Sequence, residues 1–247
     1  MPGYAETCNR GAAAPSRSRH PRFVGWIAGI AVALVLAGFA KTFYLRPLFM
    51  DLPLPSLAIV HGVVMSVWVV LFVAQVWLVA RGNIRWHRRV GVAGMVLAPL
   101  VLILAVAMAI DAMRAGHTPV PQVTPQQFLA VPLFNAVLFA GLAGAGLALR
   151  KHREAHRRLM LLAMLCLLPP AVARIPQALD VFRAGSLFLA IGVMAAIILA
   201  CAVRDARLHR RAHPAFVFGG AAAVLALPLA LVVSHTAWWQ HFAGLLM

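Results

Sequence analysis

The stretch SLAIVHGVVMSVWVVLFVAQVWLVARGNIRWHRRVGVAG, residues 56–94, decides how the chain is built. Residues 56–80 hold no Lys, Arg, Asp or Glu. As a helix rising about 1.5 Å per residue, that run crosses the ~30 Å apolar core of a bilayer. Arg81, Arg85, Arg88 and Arg89 then crowd a short turn around Gly82 and Asn83, and a second apolar run begins. Apolar run, basic turn, apolar run is the pattern of a helical hairpin whose turn lies at a membrane surface.

The same alternation covers the rest of the chain. Of 247 residues, 63% are hydrophobic and 11% charged, outside the range of a water-soluble domain of this length. Seven spans are predicted: about Phe23–Tyr44, Ser56–Ala80, Val90–Met113, Gln126–Leu149, Leu159–Leu179, Ser186–Val203 and Ala215–Thr236. Helices are expected, since lipid satisfies no free backbone group and no alternating barrel pattern occurs. The fold class is therefore an all-α integral membrane bundle: a basic tail over 1–22 and one transmembrane domain over 23–247.

Charge sets the orientation. The connectors after the second, fourth and sixth spans, together with the tail, hold most of the 22 Lys and Arg residues. Seven alternating spans bring all of these to one face. The positive-inside rule makes that face cytoplasmic, with the N-terminus inside, the C-terminus outside and the bacterial inner membrane as location. The net charge of +16 thus points to anionic lipid headgroups as partners and not to nucleic acid. The first span is expected to be an uncleaved signal anchor, with LAGFA (36–40) as the weak cleavage alternative.

Three turns repeat one motif: WHRRVG (86–91), EAHRRLM (154–160) and RLHRRAH (207–213). A shift of 69 residues lays Arg81 on Arg150, His87-Arg88-Arg89 on His156-Arg157-Arg158, and Met95 on Met164. A duplicated hairpin, 56–99 and 125–168, is one explanation; convergence of apolar spans with topological arginines is the other. The arginines can snorkel to phosphates. A histidine opening a helix faces free N–H groups, which favour its neutral, hydrogen-bonding form.

Candidate chemistry falls at two levels. At the basic face His87 and His156 form an inner pair able to clamp a haem iron or merely to cap helices. At the opposite face His61 lies about 30 Å from Arg81, Asp111 about 33 Å from Arg89, and Arg174 about 24 Å from Arg158. His235 and His61 form an outer candidate pair. Arg174, bracketed by Pro169, Pro170 and Pro176, is expected on a kinked helix with Asp111 or Asp180 as its carboxylate partner. Cys8, Cys166 and Cys201 show no metal or disulfide spacing, and neither a phosphate loop nor a GxSxG occurs.

On residues 59–94 and ALRKHREAHRRLMLLA (148–163), the chain resembles a group of uncharacterised bacterial multi-pass inner-membrane proteins. That resemblance implies topology and no activity. More distantly it is similar to cytochrome b561-type carriers, which implies His61, His87 and His156 as haem b ligands. The fourth span departs from that pattern in having no histidine. Two functions follow: a non-catalytic membrane protein (sensor, assembly partner or small-solute protein), which is preferred, and a haem- or quinone-linked electron carrier.

Overall fold

The computed structural model describes residues 20–119, 123–179, 181 and 185–247, with side chains from Phe23 onward. Asp180 and most of the basic tail lie outside the described residues. Helices α1 (His20–Phe39), α2 (Ser56–Ala80), α3 (Ile84–Arg114), α4 (Pro125–Ala148), α5 (Arg153–Leu165), α6 (Pro169–Ala178), α7 (Ser186–His209), α8 (Gly220–Ser234) and α9 (Ala237–Gly244) follow in order. Single π-helical turns over Ala40–Tyr44 and Ala215–Gly219 extend α1 and precede α8. Seven helical segments are long and apolar enough to cross a membrane, with α5 and α6 together forming the fifth.

Local chemistry fixes the turns. After α2, Gly82 takes a left-handed φ of 73°. That conformation lets the Asn83 N–H reach back to the Leu78 carbonyl at 2.9 Å. The Asn83 side chain then caps α3 by accepting the Trp86 N–H at 3.3 Å. At the opposite face Thr124 and Gln127 form a reciprocal capping box, and Pro125 takes the first turn of α4. Helix α3, about 46 Å long at 1.5 Å per residue, outreaches the apolar core and carries its first turn into the basic interface.

The fifth span is the centre of the bundle. Of its apolar window 72% is buried, against 17–33% for the other six spans. α1 packs on α2 and α6, α2 on α3, α3 on α4, and α4 on both α5 and α8. α7 closes the circuit against α6 and α8. The fifth span is also broken. Pro170 has no N–H for the Cys166 carbonyl, so the helix stops at Leu165 and restarts at Pro169. The Cys166 thiol bonds the Ala163 carbonyl at 3.1 Å beside the break. Protein surrounds this non-helical backbone, as bilayer depth demands.

Close backbone approach holds α1 to α6. A Cβ at Gly38 would lie 2.1 Å from the Ala171 carbonyl oxygen, which is backbone and does not yield. Gly38→Ala is therefore expected to force α1 away from α6 and to destabilise the detergent-solubilised protein by about 1–3 kcal/mol. A thermal melt beside Gly141→Ala, where a Cβ meets nothing within 4 Å, makes the measurement.

Candidate functional site at the basic face

Helix α5 opens with Glu154, His156 and Arg158. In a helix, positions four apart share a face and a position two along points roughly 200° round. Glu154 and Arg158 therefore face one way, and His156 the other.

On the first side Arg158 is buried, its side chain 3% exposed, against Asp205 of α7, 4% exposed. The contact is a two-pronged fork: Nε to Oδ2 at 2.9 Å and Nη2 to Oδ1 at 2.6 Å. The remaining Nη1 donates to the Glu154 carboxylate at 2.6 Å and its carbonyl at 2.7 Å. Arg157 reaches Glu154 at 2.7 Å and Asp205 at 3.7 Å. His209 Nδ1 bonds the Asp205 carbonyl at 2.9 Å and approaches its carboxylate at 3.5 Å. Nearby, His213 Nδ1 accepts the Ala215 N–H at 3.1 Å. Burial, and then the Arg158 charge, hold His213 below the ordinary histidine value of 6.5.

On the second side, the His156 and His87 rings sit 6.3 Å apart, centre to centre, and nearly perpendicular at 76°. Their hydrogen bonds fix opposite tautomers. His156 Nδ1 lies 2.7 Å from the Gly146 carbonyl of α4. A carbonyl only accepts, so this nitrogen carries the proton and Nε2 is bare. Around His87 the Gln75 amide decides. With the amide assigned so that its oxygen accepts the Gly91 N–H at 2.9 Å, its Nε2 donates to the His87 carbonyl at 3.1 Å and to His87 Nδ1. His87 Nδ1 is therefore the acceptor and its proton sits on Nε2.

The outer candidates have separate neighbours. Arg174 donates to the Pro170 carbonyl at 2.9 Å and lies over the Phe39 ring at 4.7 Å. Among the described residues no ion pair joins it to Asp111, which is exposed at the end of α3. His61, on α2, has a buried Nδ1 with no hydrogen-bond partner among the described residues. His235 closes α8 and contacts Gln127 of α4 at 3.3 Å. No ring contact or hydrogen bond between His61 and His235 occurs among the described residues. Nor do three or more His, Cys, Asp or Glu side chains gather into a metal-binding group there.

Sequence reasoning overlooked Asp205 and Glu154; Gln75 is legible there as a residue of the second span able to bond between helices, with no chemistry attached, and it does bond from α2 to α3. Asp205 had one available signal: the chain has only six acidic residues, and this one ends an apolar span. No family model, curated protein or solved structure matches the chain.

The tautomer assignment is directly measurable. Nitrogen-15 spectra of histidine-labelled protein near pH 8 should show one ring protonated at Nε2 and lost in His87→Gln, and one protonated at Nδ1 and lost in His156→Gln. The same tautomer at both would contradict the hydrogen-bond network. For His213 the sign follows from its depressed value. Above about pH 6.5 both folded and unfolded rings are neutral; as pH falls through that value the unfolded chain takes the proton first, and stability drops. His213→Asn keeps an acceptor for the Ala215 N–H and should flatten this part of the acid loss in thermal melts.

Proposed function

We propose that the chain is a non-catalytic membrane protein of the sensor class, responding to proton concentration at its basic face, which the positive-inside rule makes cytoplasmic. The observation that supports this is the His87–His156 pair on the opening turns of α3 and the central α5. Histidine is the side chain whose unperturbed titration falls at physiological pH. Neutral, the two rings rest in complementary tautomers. Doubly protonated at 6.3 Å, they repel by about 2.5 kcal/mol at an effective dielectric near 20. Protonation also puts a hydrogen on His87 Nδ1, where Gln75 already donates. Arg88 adds a like charge from α3, and the Gly146 carbonyl on α4 accepts in either state. The repulsion loosens α5 from α3, the clash at Gln75 loosens α2 from α3, and α5 is the element about which the bundle is packed.

One observation favours a second reading, haem b ligation. The His87 and His156 rings, 6.3 Å apart on α3 and α5, would hold the iron as paired imidazoles, and the haem would supply one-electron transfer. Gln75 opposes it, because its donation to Nδ1 leaves the His87 proton on Nε2, where iron would bind.

Hydrogen exchange of the full chain in lipid nanodiscs tests the sensor. After correction for intrinsic rates, residues 84–90 and 153–160 should exchange faster below about pH 5 than at pH 8. His87→Gln/His156→Gln should abolish that difference. No acid response, or an equal response in the variant, contradicts the proposal. The sensor reading also expects a colourless protein after haem-supplemented expression. A Soret band lost in either histidine variant would transfer the assignment to haem.

A further inference from the structure

A second site lies on the lipid-facing side of α7, apart from the histidine pair. Ala200, Val203, Arg204, Arg207 and Leu208 line an open groove of about 400 Å³. Their spacing of three and four residues makes one continuous helical face. Three of the five are apolar, two are guanidinium-bearing, and none is acidic.

The arginines occupy the headgroup end. Arg204 and Arg207, one helical turn apart, rise about 4.5 Å along the axis, within reach of one phosphate. The Arg204 guanidinium lies 4.4 Å from the centre of the Phe23 ring of α1. It also borders a cavity of about 50 Å³ between α1, α5 and α7, shared with Arg157. The neighbouring carboxylate, Asp205, is buried beneath Arg158 and does not face the groove. Toward the bilayer centre the groove floor becomes Ala200 and Val203, small and apolar.

We propose that this groove binds an anionic phospholipid: its phosphate at Arg204 and Arg207, and the start of an acyl chain along Ala200 and Val203. Charge complementarity selects an anion. The apolar floor on a membrane-spanning face selects a lipid over a soluble phosphate.

Native mass spectrometry of the full-length protein, titrated with phosphatidylglycerol or phosphatidylcholine in detergent, tests the site. Phosphatidylglycerol should bind more tightly. Arg204→Gln/Arg207→Gln should weaken it by about 25-fold, at roughly fivefold per guanidinium. Ala200→Trp should weaken it comparably with the charge unchanged. Arg150→Gln/Lys151→Gln, which removes two charges elsewhere on the same face, should change it less than twofold. Equal loss in both charge variants would reduce the site to a diffuse field and overturn the proposal. Displacement by soluble glycerol phosphate, with Ala200→Trp unaffected, would make it a free-anion site and overturn it too. Should the double variant misfold, Arg207→Gln alone, at an exposed position, should lose roughly fivefold, and no loss overturns the proposal.

Discussion

The Arg158–Asp205 fork is the contact on which the arrangement of the bundle depends. It is the most buried pair of opposite charges described, set where the central span leaves the membrane. Burying either charge alone is strongly unfavourable, so a depth or rotation of the two helices that separates them is penalised. Once Arg158 is turned toward α7, the helical repeat turns His156 toward α4 and α3. The histidine pair is thus a consequence of the ion pair on the opposite side of α5. Glu154, satisfying the third arm of the guanidinium, completes the lock from the same turn.

The same span is rigid at one end and interrupted in its middle. The break at Cys166–Leu168 divides it into two short helices with separate neighbours: α5 against α4 and α7, and α6 against α1 and α7. Gly38 lets the α1 backbone rest on the Ala171 carbonyl, so α6 is held by close packing where α5 is held by charge. A change in the polar contacts of α5 therefore need not be transmitted as a rigid-body movement of the whole span. This division gives the sensor reading a mechanical basis.

Much of the architecture was legible in the sequence, for one reason. The ~20-residue requirement for crossing a bilayer acts on length and composition, which a sequence displays directly. The second span was placed at Ser56–Ala80, where α2 lies, and the others agree within a few residues at most ends. The basic ends run further than expected: α3 starts at Ile84 and α7 continues to His209, because helices persist through the interface where arginines remain compatible with helix. The prolines at 169 and 170 signalled a kink, and the structure has a full interruption. The short α9 was not foreseen. It is docked by the Trp239 indole on the Gln126 carbonyl at 2.8 Å, a contact between residues far apart in sequence.

Rotation about each helix axis was not legible. Spans such as α2 and α8 are apolar all round, so no polar stripe marks the face turned inward. Depth counting put Arg174 and Asp111 at neighbouring levels, but level does not determine azimuth, and Arg174 instead meets Phe39 and its own helix. Arg158 resembled its topological neighbours for the same reason; nothing local distinguishes the buried arginine of an HRR turn from the exposed ones. A double-mutant cycle on Arg158 and Asp205, read by thermal unfolding in a defined lipid or detergent, tests the central claim most directly. Arg158→Met and Asp205→Leu should each destabilise by about 3–5 kcal/mol, and the double variant should recover most of that loss. Strictly additive losses, or single variants as stable as the parent, would contradict the account.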